Sequence, residues 1–216
     1  MVDVPKKLLE SRNINLAFRA AYVNFADYVI KIKYENMKKA IVFLAEGFEE
    51  IEALTVVDVL RRGGVEVTTM SLTEDPYVDG AHGIEVLCDA DNEYDPTDAD
   101  LVVLPGGLPG ADNLRASDLV CDTVKKYVAE GKLVGAICAA PYVLGELGVL
   151  QGKKATCYPG FEGKLVGADY TALRVERDGN IITGNGPSSA LPFALALLAA
   201  LTDEQNASKV ADGMLC

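Results

Sequence analysis

The sequence predicts an α/β domain in which a mostly parallel sheet carries helices on both faces. From Met37 onward, short apolar runs alternate with segments of helical spacing, joined by short connections. Runs such as Leu101-Val102-Val103-Leu104 lack the polar alternation of a half-wetted strand, so they read as strands buried on both faces. Three chemically suggestive stretches, Glu46 to Glu52, Gly106-Gly107 and Cys138, each follow such a strand. In open parallel sheets, binding sites gather at these carboxyl ends.

Taken in order, Lys39 to Ala45 is the first apolar strand. Glu49 to Arg62 has helical spacing through Ile51, Leu54, Val57 and Leu60, and Gly63-Gly64 ends it. Val65 to Leu72 is the next strand. Residues 78–88 combine turn chemistry at Gly80 and Gly83 with the short alternating run Ile84-Glu85-Val86-Leu87. Asp100 to Leu104 is a buried strand, followed by the glycine- and proline-rich loop Pro105 to Gly110. Ser117 caps a helix to Glu130, and Lys132 to Ile137 is a buried strand. Pro141 to Leu147 reads as a helix that begins with its proline. Lys154 to Tyr158 reads as a short strand, and Arg174 to Thr183 as a hairpin about Asp178-Gly179. Ser189 to Leu201, almost wholly apolar and so buried, and Asp203 to Met214 are closing helices.

At 216 residues the chain is long enough for one well-filled core. Its net charge of −12 argues against nucleic acid or an anionic membrane as main partner, and no apolar run is long enough to span a bilayer. The five cysteines are odd in number and form no C-x-x-C pair, and there is one histidine. Neither a disulfide framework nor a metal site is expected, which suits a reducing, cytoplasmic location. The first 36 residues differ in character: six Lys/Arg and four Asp/Glu give +2, leaving −14 for residues 37–216. Ala17 to Ile32 is apolar enough for a helix but lacks a secretion signal's uninterrupted apolar run and cleavage site. Met37-Lys38-Lys39 looks like a natural start, so residues 1–36 are expected to be an N-terminal extension, either a start-site artefact or an added helix.

Cys138 lies in Gly135-Ala136-Ile137-Cys138-Ala139-Ala140-Pro141, where a strand passes directly into a helix. It is either a small core residue or a nucleophile on a sharp turn, whose thiolate the following helix N-terminus would favour. The loop Pro105 to Gly110 is neither a G-x-G-x-x-G fingerprint nor a P-loop, so no nucleotide cofactor is expected. Gly106 and Gly107 could simply turn the chain. Beside a thiolate, their backbone N–H groups could hold a developing oxyanion. Asp58 with Arg61-Arg62 reads as a solvated helix end or an interface, and His82, in Gly80-Ala81-His82-Gly83, as a surface residue.

These residues together resemble the ThiJ/PfpI superfamily, in the branch of the parkinsonism-associated protein deglycase. The resemblance runs from about Lys38 to Leu215. Ala45-Glu46-Gly47-Phe48-Glu49-Glu50-Ile51-Glu52 is similar to the family's first loop, and Val56 to Arg62 to the helix that follows. Leu104-Pro105-Gly106-Gly107 resembles its backbone-donor loop and Ala136-Ile137-Cys138-Ala139 its nucleophile elbow. Gly186-Pro187-Ser188 with Phe193-Ala194-Leu195-Ala196 resembles its last loop and closing helix. The resemblance implies a flavodoxin-like three-layer sandwich of the class I glutamine amidotransferase type, usually a homodimer. It also implies that Glu52 meets Cys138, and cysteine chemistry without cofactor on small reactive carbonyls such as methylglyoxal, or on their adducts. A non-enzymatic redox-sensing or chaperone-like role in an oxidative stress response, using the same cysteine, is the alternative.

Two departures narrow the chemistry. Many members place histidine before the proline of the short strand after the elbow, where this chain has Cys157-Tyr158-Pro159, and protease-like members carry histidine where Ala139 stands. Tyrosine, with an ordinary pKa of about 10, cannot replace imidazole as a base near neutrality. A Cys–Glu pair suffices for carbonyl chemistry, with attack by the thiolate and proton transfer by the carboxyl. The expected site is therefore Cys138 as nucleophile and Glu52 as proton shuttle, with N–H groups from Gly106, Gly107 and Ala139. Tyr158 and His82 are possible accessories. The thiol is expected to titrate well below about 8.5, with Glu52 protonated near neutrality.

Overall fold

The computed structural model describes residues 37–216; the expected extension, residues 1–36, and its helix at 17–32 lie outside the described residues. In chain order the elements are β1 (Lys39–Leu44), α1 (Glu50–Arg62), β2 (Glu66–Ser71), β3 (Tyr77–Asp79), β4 (Glu85–Leu87) and β5 (Leu101–Leu104). There follow α2 (Gly110–Ala116), α3 (Asp118–Glu130), β6 (Leu133–Ile137), α4 (Pro141–Glu146), β7 (Lys154–Ala155) and β8 (Asp169–Tyr170). The chain closes with β9 (Val175–Asp178), β10 (Ile181–Gly184), α5 (Ala190–Leu201) and α6 (Glu204–Gly213).

The main sheet has the order β2-β1-β5-β6-β10-β9. All neighbours are parallel except β9, which returns antiparallel beside β10 through the turn at Gly179. The strand order reverses direction between β1 and β5, the switch point at which a doubly wound sheet opens a crevice. This is a flavodoxin-like α/β sandwich.

Strand β1 shows how the layers arise. Ala40, Val42 and Leu44 pack with Val56 and Leu60 of α1 and Phe193 and Leu197 of α5. Ile41 and Phe43 point the other way, into a cluster with Leu114, Val124, Tyr127 and Val143 from α2, α3 and α4. All of these side chains are buried, and each aliphatic or aromatic one contributes roughly 1.5–3 kcal/mol. Helix α5 approaches closely because β6 and β10 present glycine to it. A Cβ on Gly135 would lie 2.9 Å from Leu197, and one on Gly184 would lie 3.3 Å from Phe193.

Some expectations change in detail. On α1 the inward face is Ala53, Val56, Val57 and Leu60, while Ile51 and Leu54 are 58% and 38% exposed. Residues 78–88 belong to an antiparallel β3–β4 hairpin, and α2 is a helix that the glycine- and proline-rich sequence around it conceals. The strand expected from Lys154 to Tyr158 ends at Ala155. Beyond it, the Thr156 N–H donates to Thr183 Oγ1 (2.9 Å) and the Tyr158 N–H to the Cys138 carbonyl (2.7 Å). The chain leaves the ladder there to brace the turn that carries Cys138.

Candidate active site

Three loops at the carboxyl ends of β1, β5 and β6 meet at Gly106. Its N–H donates to Glu52 Oε2 at 2.8 Å. A Cβ there would stand 2.6 Å from Cys138 Cβ and 2.7 Å from Glu52 Oε2, so only glycine lets the carboxyl and the cysteine close on each other. Glu52 arrives on the first turn of α1. Glu49 caps that helix, its Oε2 accepting the Glu52 N–H at 2.7 Å, and the Glu49 N–H donates to the Gly106 carbonyl at 2.9 Å. Gly107 has φ of +89°, and a Cβ on it would meet the Gly47 carbonyl oxygen at 2.5 Å. The close approach of the two loops therefore depends on the glycine pair.

Cys138 has φ of +64°, in the left-handed region that a residue with a Cβ rarely adopts. Holding it there costs about 1–3 kcal/mol, and the surroundings fix it from both sides. Its N–H donates to the Gly184 carbonyl at 2.9 Å, and its carbonyl accepts from Tyr158. The turn is the expected elbow. Cys138 is 8% accessible and Glu52 is fully buried.

Burial sets the electrostatics. It pushes Glu52 up to about 7, against the hydrogen bonds from Gly106 and Cys138, and the Glu49 charge adds to the rise. Glu52 Oε1 is buried without a hydrogen-bond partner among the described residues, a further reason for the carboxyl to hold its proton. Facing an ionised Glu52, the Cys138 thiol is pushed up to about 12 by burial first, then by the carboxylate's charge and hydrogen bond. The backbone N–H groups of Gly107 and Ala139 oppose that rise. The direction corrects the expectation of a thiol lowered by a helix N-terminus. Helix α4 is only six residues long, too short a dipole to offset burial beside a carboxylate. Charge on one member of the pair disfavours charge on the other, so near neutrality Cys138 and Glu52 together carry at most one negative charge.

The expected residues separate into two groups. Cys138, Glu52, Gly106, Gly107 and Ala139 come together, with the Tyr158 backbone against the elbow and its half-exposed ring over Gly186. Gly106 was expected to donate to the reacting atoms, but its N–H is spent on Glu52, leaving Gly107 and Ala139 as the donors facing sulfur. His82 lies instead against Glu50, its Nδ1 2.6 Å from Glu50 Oε2. Glu49 and Glu50 were not singled out from the sequence, since Glu is not among the favoured N-cap residues and Glu49 gives no local capping signal. Glu49, Glu50 and His82 bring ligand atoms within 4.8 Å of one another, but both Glu50 oxygens are already bound by His82.

This fold and elbow define a class of cysteine-bearing α/β proteins. Residues 38–200 match the DJ-1/PfpI family, and the chain belongs to it. Among curated relatives, Protein DJ-1 homolog B of Arabidopsis thaliana is 42% identical over 179 residues, 81% of this chain and 41% of the relative. The chain thus spans less than half the length of this plant relative and of homolog A. The crystal structure of Drosophila melanogaster DJ-1beta is 39% identical with a TM-score of 0.80, over 83% of this chain and 98% of that one. A structure described as Toxoplasma gondii DJ-1, oxidized, is 38% identical with a TM-score of 0.77, over 82% and 98%.

Proposed function

We propose that the chain is a cysteine-dependent glyoxalase or deglycase, acting on methylglyoxal-type dicarbonyls or their adducts without a cofactor. The observation that carries this reading is the junction at Gly106, which joins a thiol and a proton-holding carboxyl in one buried pair. The reactive form of the pair has the proton on Glu52 and the negative charge on sulfur, and substrate has to draw the pair into that form because burial disfavours the thiolate. The thiolate attacks the aldehyde carbon of methylglyoxal to give a hemithioacetal, and the Gly107 and Ala139 N–H groups steady the oxygen as it gains charge. Glu52 gives its proton to that oxygen and, now a carboxylate, moves the proton of that carbon to the neighbouring carbonyl carbon while the hydroxyl proton passes to the second oxygen. This oxidises the first carbon and reduces the second, with no external oxidant. Water cleaves the resulting thioester, releasing lactate and restoring the thiol. Tyr158 borders the site and contributes its backbone to the elbow.

A homodimer fits this reading. Ile51 and Leu54 leave an apolar strip exposed on α1, a few residues from the site. No helix among the described residues is long and apolar enough to cross a membrane, and a cytoplasmic location suits five free cysteines. The same pair supports a second reading, in which Cys138 is oxidised as a stress signal and protonated Glu52 donates to the sulfinate. A similar protein whose structure is described as oxidized, Toxoplasma gondii DJ-1, supports this second reading. Lactate production from methylglyoxal without glutathione tests the first reading. Turnover lost in Cys138→Ala supports it, whereas a wild type that only oxidises contradicts it.

A further inference from the structure

The chain has one histidine, His82, on the β3–β4 turn. His82 grips Glu50 twice: its backbone N–H donates to Oε1 and its Nδ1 meets Oε2, both at 2.6 Å. Glu50 is only 4% exposed, whereas the imidazole is largely in solvent. The contact also sets the turn's backbone. Gly80 packs so closely that a Cβ would lie 2.3 Å from Glu50 Oε1, and the Ala81 N–H donates to the Phe48 carbonyl at 2.8 Å. The β3–β4 turn is thereby fastened to the first turn of α1, which also holds Glu49 and Glu52.

We propose that the Glu50–His82 pair is a pH-sensitive positioning device for Glu52, and through it for Cys138. Protonated His82 neutralises the buried Glu50 carboxylate and pins the turn against α1. Neutral His82 leaves an ionised carboxylate with little solvent and a weaker partner, and loosens the helix start. The field changes too. Glu49, the second carboxylate acting on the imidazole, also raises the proton affinity of Glu52, and a cation beside it offsets that effect. Glu46, on the preceding loop, faces the Asp79 N–H (3.4 Å). Asp79 and Glu85 flank the turn as a register pair, with no hydrogen bond to the ring among the described residues.

The direction follows from the two partners. The hydrogen bond and charge of Glu50 raise the imidazole pKa. Burial is the largest single influence and pushes Glu50 up, but the hydrogen bonds and charge of His82, with a backbone hydrogen bond at Glu50 itself, together bring the net shift down. The clamp is complete between the lowered carboxyl pKa and the raised imidazole pKa, and its charged part is lost as pH rises through the latter.

The test follows the lone imidazole by NMR against pH and, in parallel, the rate of Cys138 alkylation by iodoacetamide, in full-length wild type and variants. Glu50→Gln should lower the imidazole pKa by about one unit or more. In wild type the alkylation profile should show an inflection at the imidazole pKa. His82→Gln, a change at an exposed side chain, should remove that inflection and move the remaining one up by about half a unit. A His82→Gln profile that superimposes on wild type, or an imidazole that titrates alike in Glu50→Gln and wild type, overturns the proposal. These readouts stand even if the wild type makes no lactate, so the dicarbonyl reading and this one fail separately.

Discussion

At Gly106 a single hydrogen atom stands where any side chain would push Cys138 and Glu52 apart. Gly106→Ala should therefore lose both turnover and Cys138 reactivity, and should lower stability by about 1–3 kcal/mol, measured by urea unfolding. Glu52 itself gives a pH signature. Folding raises its pKa from 4.5 to about 7, so the folded protein binds a proton that the unfolded chain releases, and stability falls as pH rises through that window. Glu52→Gln removes the ionisation. Its stability relative to wild type should grow by about 3 kcal/mol between pH 4.5 and pH 7, and a pH-independent difference would mean that Glu52 is not perturbed. Tyr158→Phe should keep most of any dicarbonyl turnover, since only a solvent-side hydroxyl is lost; a fall comparable to Cys138→Ala would make the phenol a catalytic donor. At this scale the residue types and the raised Glu52 carboxyl were legible, but not the direction in which the Cys138 thiol shifts. The capture of the Gly106 N–H by a carboxyl 54 positions away, and the burial of both titrating groups, are tertiary facts without a local signal.

Among the elements, α1 links site to surface. Its inner face packs on β1 and α5, its first turn holds the carboxylates, and Ile51 and Leu54 remain outside. If that strip is the homodimer contact, Ile51→Glu should shift the protein from dimer to monomer by light scattering with the fold retained. Monomeric wild type would contradict the assignment. Arg61 and Arg62 pair with Asp89 and Asp58 of the same chain, so these exposed ion pairs add little free charge to such an interface. The helix was legible from its spacing and its Gly63-Gly64 end. Its orientation was not, because Leu54 lies on the same apolar arc as Val57 and only packing shows which edge of the arc is covered. The shortened strand after Lys154 has a comparable cause: backbone groups that propensity assigns to a ladder serve the elbow instead.

For the whole molecule, alternating periodicity made the layered parallel sheet readable, and the strand order then places the β1, β5 and β6 loops on one edge at the switch point. A protein beginning at Met37 should fold, assemble and react as the full chain does, and a large drop in melting temperature would show that residues 1–36 contribute to the folded core. The account's central claim is that Cys138 and Glu52 act as one nucleophile and proton-shuttle pair. The most direct measurement is steady-state lactate formation from methylglyoxal, without glutathione, for wild type and Glu52→Gln, with Cys138 alkylation followed on the same samples. The account predicts a Glu52→Gln protein whose thiol still alkylates but whose turnover is abolished. Normal turnover in Glu52→Gln would contradict it.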